Sequence, residues 1–439
     1  MHSGKAKSKR RKLGLDELVA IGIGGMIGSG IYSLLGVAVR IAGGYAFLAF
    51  LLAGAIALFS GYSFAKLGRA SKTNEGAFRY ILMASGSRAF AGFNAWMMVL
   101  GYIGTVALYA YTFGAYCASF FEGYASYAVA RSVLAVVVIA VFVVVNLMRV
   151  ESFGRFQLVL VSAGIGILLI FCVVGAIHLG VGNSVTIEST DPLLIPISAG
   201  IIFVGFQGFE LVTASVRDAK SPERNISRAI YISIVITILL YLLGTIAATS
   251  VLTPAEILRF EERALGEAAV PILGGFGFLL VGIGALIAAA GAINATIFGT
   301  ARFAKDVSKK GIMPSVFCRT KADRGTPYAG ILMIGFFSAV LTLTGSLEVI
   351  AAFASIIFLL LYGFVSLANL KLRLQTGSPA WIPLVGSALC FFSLAAVVIY
   401  LGLRGPQTLL TIGIMFLALL VLWLAYQRFA GMSKEGRGT

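Results

Sequence analysis

The sequence predicts an all-α polytopic membrane protein. Three observations predict it: 59% of the 439 residues are hydrophobic, only 12% are charged, and the mean hydropathy is +0.97. A soluble domain carries about a quarter charged residues, so an ordinary cytosolic enzyme is excluded, and the abundance of apolar residues excludes disorder. A helix needs about 20 apolar residues to cross the bilayer core. Runs of that kind centre on residues 15–38, 45–68, 89–120, 128–148, 153–180, 193–216, 225–252, 269–303, 327–345, 348–370, 380–403 and 407–428, which predicts twelve transmembrane helices.

The first run follows a charged start and lacks a cleavage-site pattern, so it reads as a span and not as a signal peptide. Asp16 and Glu17 at its beginning suit the positive end of a helix dipole. An even number of spans places both termini on one side, and the basic stretch from Lys5 to Lys12 assigns that side to the cytoplasm of a cytoplasmic membrane. Arg69 and Lys72, Arg149 and Arg155, Arg217 to Arg228, Lys305 to Arg324, and Lys371 with Arg373 then fall on the same side. Glu188, Asp191 and the acids between Glu256 and Glu267 fall on the other. The formal charge of +16 is thereby explained by topology and by contact with anionic membrane lipid, without a nucleic-acid partner. In the outer loop 253–267, Thr253-Pro254-Ala255-Glu256 predicts a short capped helix.

A division near residue 190 organises the chain into a basic N-terminus (1–13), a first group of five spans (14–190), a second group of five (191–374), two further helices (375–431) and a tail (432–439). Cys117, Cys172, Cys318 and Cys390 are scattered, and the only histidines are His2 and His178. The spacing therefore points to no metal, no cofactor and no disulfide framework. HExxH, a usable nucleophile elbow and an intramembrane aspartate pair are all missing, so the chain does not read as an enzyme.

Two spans are interrupted by glycine. The first holds Gly22, Gly24, Gly25, Gly28 and Gly30; the sixth holds Gly200, Gly205 and Gly208. They open the two groups of five, and broken helices at matching positions of two halves mark a transport site at the membrane midplane. Glycine for close helix packing is the alternative. A break in the first span frees N–H groups around Gly28, Ser29 and Gly30 at the positive end of a half-helix, which suits a carboxylate. Carbonyls near Met26, Phe203 and Phe206 suit an ammonium. The two poles together fit a zwitterionic α-amino acid.

Gly25-Met26-Ile27-Gly28-Ser29-Gly30-Ile31 resembles the first-helix signature G-x-I-G-[ST]-G-I of the amino acid–polyamine–organocation (APC) transporters. Gly208-Phe209-Glu210 followed by Ser221-Pro222-Glu223-Arg224-Asn225 is similar to that family's sixth-helix and following-loop motif. Ala304-Lys305-Asp306 through Lys310-Gly311-Ile312-Met313-Pro314 is similar to its A-[RK]-D-G-x-x-P segment, with Val307 to Lys310 as extra residues. The resemblance spans nearly the whole chain. It implies a LeuT-like 5+5 inverted repeat with two added C-terminal helices. It implies an amino-acid substrate held by Met26, Ile27, Gly28, Ser29, Gly30, Phe203, Val204 and Phe206. Within that set Ser29 and Gly30 would take the carboxylate, the carbonyls of Met26, Phe203 and Phe206 the amine, and Phe203 would be an aromatic gate.

Coupling departs from the family. Proton-coupled relatives carry a lysine about nine residues beyond a Gly-Arg pair in the fifth helix. Here Gly154-Arg155 leads to Gly164, and the corresponding eighth-helix stretch, Ala288-Ala289-Ala290-Gly291-Ala292, offers no hydroxyl. Proton symport, exchange and facilitated movement stay open. Glu210, an intramembrane acid, is expected to serve either coupling to protons or structure. Tyr102, Tyr109 and Tyr111 are expected to make interhelical hydrogen bonds. A cationic amino acid or polyamine with Glu210 as counter-charge is the rival substrate, and a nutrient receptor with little flux is the rival function.

Overall fold

The computed structural model describes residues 12–28, 30–121, 126–148, 153–179, 191–320 and 326–435. Among these, regular structure is helical, apart from one isolated parallel bridge between Leu13 and Ala219. The first expected span is two helices, α1 (Leu15–Met26) and α2 (Gly30–Ala42). The start of α1 follows its sequence: the Gly14 N–H donates to Glu17 Oε2 at 2.7 Å, closing a capping turn. The second span is α3 (Ala46–Ser71). α4 (Gly76–Ser85) is a short helix outside every expected run. Next come α5 (Arg88–Ser119), α6 (Tyr127–Met148) and α7 (Phe153–Leu179).

The sixth expected span is broken as well. α8 (Leu194–Ile202) passes into a tighter 3₁₀ turn at Phe203–Phe206, then an extended Gln207, then Gly208 with a positive φ, then a 3₁₀ stretch at Phe209–Asp218. α9 (Pro222–Thr249) starts with proline in its first turn, where the missing N–H costs nothing. The expected short outer helix is α10 (Pro254–Phe260), held by the Thr253–Glu256 capping box. α11 (Ala264–Leu273) follows, then α12 (Gly277–Ser308), α13 (Tyr328–Thr344), α14 (Leu347–Lys371), a single turn α15 (Arg373–Thr376), α16 (Trp381–Arg404) and α17 (Pro406–Glu435).

Two boundaries differ from the sequence reading. The run 269–303 is not one helix: α11 ends at Leu273, Gly274 takes φ +75°, and α12 restarts at Gly277. Apolar continuity hid that turn, because only a positive φ distinguishes it. α17 runs to Glu435, past the boundary expected at 431.

The core is built around α5 and α14, which are enclosed by neighbours, whereas α6 and α17 turn apolar side chains such as Val129, Val133, Leu410 and Leu417 outward. Close approach depends on small residues, as is usual between helices in lipid. A Cβ on Gly101 of α5 would lie 2.9 Å from Ile357 of α14. Leu13 links the two interrupted spans: its N–H donates to Asp218 and its carbonyl accepts from Lys220, both at 2.8 Å.

Candidate functional site

The two breaks meet each other through bare backbone. A Cβ on Gly208 would sit 2.4 Å from the Gly25 carbonyl carbon, and Gly208 has φ +121°, a conformation that an L side chain rarely adopts. On the other side of the crossing, a Cβ on Gly205 would be 3.4 Å from Gly30 Cα. Glycines in both spans thus let two main chains touch.

At the first break, Met26 ends α1, and Ile27 and Gly28 form a turn before α2 begins at Gly30. The freed carbonyls are met by tyrosines from distant helices. Tyr109 of α5 donates to the Gly25 carbonyl at 2.7 Å. The Tyr241 hydroxyl of α9 lies 2.7 Å from the Met26 carbonyl and 2.9 Å from that of Gly205, sharing one proton between the two breaks. Gly28 packs against Ala292 of α12 and the Tyr109 ring, and Gly30 against the Tyr241 hydroxyl.

At the second break, Glu210 reaches back two residues to accept the Gly208 N–H at 2.7 Å. The same carboxylate accepts Tyr102 OH at 2.7 Å and Tyr362 OH at 2.5 Å. Higher up, Ser355 of α14 splices the junction of α8 with its 3₁₀ turn, donating to the Ile201 carbonyl at 2.6 Å and accepting from the Val204 N–H at 2.9 Å. Buried backbone needs such partners in a bilayer. Phe203 packs edge to face on Tyr362 with centroids 5.6 Å apart, and Phe206 on Tyr241 at 5.0 Å.

Met26, Ile27, Gly28, Gly30, Phe203, Val204 and Phe206 are therefore gathered in one region, all buried. Ser29 lies outside the described residues. Among the described residues, a cavity of about 410 Å³ approaches this region from one face. Its mouth is at the exposed Arg302 and Asp306, and its buried end is formed by Tyr102, Glu210, Asn146 and Asn294. Of the expected site residues that are described, only Glu210 lines it. The mouth lies on the face where Leu13 meets Asp218.

Ion pairs cross the opposite face among the described residues. Arg40 at the end of α2 pairs with Glu261, between α10 and α11, and with Glu348 of α14 at 3.5 Å. Arg131 of α6 pairs with the buried Glu262 at 3.2 Å and donates to Tyr111 OH at 2.5 Å. Gly164 of α7, the position counted on from Gly154-Arg155, packs against α12. A Cβ there would meet Ala288 Cβ at 3.4 Å, and the Gly164 carbonyl accepts from Tyr32 OH at 3.4 Å.

Several residues of this region escaped the sequence reading. Tyr241, Tyr362, Ser355, Gln207 and the Asn146–Asn294 pair, joined at 2.9 Å, are single polar residues in long apolar runs. Such residues carried a signal in their cost within the membrane, but no local pattern says what they face.

Comparison with known proteins agrees with this architecture. The amino acid permease family matches residues 13–426. An uncharacterised protein of Methanocaldococcus jannaschii is 31% identical over 84% of this chain and 84% of its own. The inner membrane transport protein YbaT of Escherichia coli is 27% identical over 96% of this chain and 98% of its own. The branched-chain amino acid permease BcaP of Bacillus subtilis is 23% identical over 84% and 82%. With its nine helical stretches long and apolar enough to cross a membrane among the described residues, this multi-pass membrane protein belongs to the amino acid permease family, the APC-type transporters.

Proposed function

We propose that the protein carries amino acids across the cytoplasmic membrane by alternating access, with twelve spans in a 5+5 inverted repeat plus two, and with both termini in the cytoplasm. The substrate lies at the two breaks. Its carboxylate faces Gly28, Ser29 and Gly30, its amine faces the main-chain carbonyls of Met26, Phe203 and Phe206, and Ile27 and Val204 complete the wall. The observation that carries this reading is the crossing of two broken helices, Gly25 on Gly208 and Gly30 beside Gly205, next to the blind end of a cavity. An open cavity on the N-terminal face and ion pairs across the other face correspond to an inward-facing state.

Neutral substrates are favoured, because both Glu210 oxygens are already engaged by Tyr102, Tyr362 and the Gly208 N–H. That arrangement weighs against Glu210 as counter-charge for a cationic amino acid or polyamine. The bare contact of Gly164 with Ala288 favours exchange or facilitated movement over proton symport through that position.

The test is uptake of a panel of radiolabelled amino acids into proteoliposomes, with and without a pH gradient and with or without unlabelled amino acid inside. We expect saturable uptake of a neutral amino acid, stimulated by internal substrate and indifferent to the gradient. Stimulation by an inward proton gradient would assign coupling to a group other than residue 164, and binding without flux would make the protein a receptor. Ser29→Val is expected to abolish substrate binding while leaving a monodisperse, folded protein; unchanged affinity would remove the carboxylate assignment.

A further inference from the structure

We infer that the Tyr241 hydroxyl is a built-in substitute for the substrate amine, which lets the empty carrier close and return. This rests on the reading above that the amine meets carbonyls of both breaks; the Met26 carbonyl is common to the amine and the hydroxyl, and Gly205 lies between Phe203 and Phe206 in the same 3₁₀ turn. The Met26 and Gly205 carbonyls, one from each break, converge on the same hydroxyl at 2.7 and 2.9 Å. Tyr241 is fully buried. Its ring is wedged edge to face between Phe206, at 5.0 Å, and Phe50 of α3, at 5.5 Å. Gly30 is bare where the hydroxyl passes: a Cβ there would stand 1.8 Å from the oxygen. The hydroxyl is therefore held at the joint of the two breaks by packing on both sides of its ring and by the absence of a side chain at residue 30.

A buried carbonyl without a donor is costly, and the breaks expose carbonyls by design. A bound amino acid brings an ammonium with three donors. A carrier that has released its substrate has none, unless the protein supplies one. Tyr241 supplies a single proton to both carbonyls, enough to close the breaks when empty and weak enough for an ammonium to replace it. A carrier with this device returns empty and performs net transport; without it, the cycle is confined to exchange, in which the breaks move only when loaded.

The experiment is Tyr241→Phe, which keeps the ring and removes only the oxygen. In proteoliposomes, net uptake into vesicles free of internal amino acid should fall about tenfold or more, the scale of one lost buried hydrogen bond. Exchange against internal amino acid should stay within about twofold of the unsubstituted protein, and the dissociation constant of the transported amino acid should fall. A tyrosine that merely packs would lower uptake and exchange together, and that result, or no change in either, overturns the inference. If the variant is recovered only with ligand present, rescue by the amino acid but not by its des-amino analogue supports the inference, and rescue by neither or by both overturns it. Ser29→Val, tested in parallel, separates the two levels. Lost binding in Ser29→Val with parallel losses in Tyr241→Phe removes this inference alone, whereas full binding in Ser29→Val removes the site and the inference with it.

Discussion

The break between α1 and α2 leaves carbonyls to be satisfied, whereas the break after α8 leaves an N–H as well as carbonyls, and the protein treats the two differently. Gly25 and Met26 end a helix, so their carbonyls point onward without partners; Tyr109 and Tyr241 bring hydroxyls from 84 and 215 residues away. Gly208 precedes a new helical stretch, so its N–H is the orphan, and Glu210 accepts it from two residues away. The first break is closed by remote neutral donors; the second shares Tyr241, adds Ser355, and has a local acid besides. A ligand carrying an ammonium can compete with the hydroxyls at the first break. At the Glu210 carboxylate, it would have to displace donors that already make three hydrogen bonds, one of them the main-chain N–H of Gly208. The comparison identifies the first break, with its facing carbonyl at Gly205, as the adaptable side of the region and the second as its fixed support.

The sharpest way to break this comparison is Gly208→Ala. The substitution forces a Cβ into φ +121° and places it 2.4 Å from the Gly25 carbonyl carbon. The backbone strain alone costs about 1–3 kcal/mol, and the opposing atom is main chain that cannot swing aside. We expect a destabilisation of at least about 3 kcal/mol, with loss of binding. Thermal unfolding in detergent, followed by size exclusion, measures it; a melting temperature close to that of the unsubstituted protein would mean that the helices cross elsewhere.

What the sequence made legible follows the same division. The positions of both breaks were readable because glycine clusters interrupt apolar runs at matching places, and bilayer physics gives such interruptions few uses. Glu210 was readable as unusual because it is an acid in a span, and its structural option was readable because its partner is local. Tyr241 and Ser355 were not readable. Each is an ordinary residue in an apolar helix, and its importance is set by which helix packs against which break, information that no short window holds. The α11–α12 turn was missed for a related reason: Gly274 and Gly275 sit inside a run of uninterrupted apolar character, where composition is blind to a change of φ.

Glu210 supplies the next largest effect and separates support from coupling. Glu210→Ala leaves the Gly208 N–H and two tyrosine hydroxyls without their acceptor. Each lost partner costs about 1–3 kcal/mol, reduced where a hydroxyl can turn elsewhere, so a loss of about 2–4 kcal/mol is expected. Glu210→Gln keeps one carbonyl oxygen and the shape, and about half that loss is expected. The decisive readout is the response of uptake to pH in Glu210→Gln. An unchanged response is expected of a support, and a response that disappears would make Glu210 the coupling acid.

The smallest effect is expected at the partner of the first substitution. Gly25 faces Gly208 across the same contact, yet Gly25→Ala should behave quite differently. Gly25 lies within α1, without a positive φ, and its Cβ would stand 3.0 Å from the Gly208 Cα and carbonyl oxygen. That contact is tight by a few tenths of an ångström and pushes the two breaks apart. Against it, alanine in a helix is favoured over glycine by about 1 kcal/mol. The two terms nearly cancel, so stability should change by no more than about 1 kcal/mol, while the slight separation falls on the carbonyls that Tyr109 and Tyr241 hold. Binding should therefore weaken more than folding does. If Gly25→Ala instead unfolds the protein as Gly208→Ala is expected to, the contact distance and not the backbone conformation of Gly208 governs the crossing, and the two breaks are equally rigid.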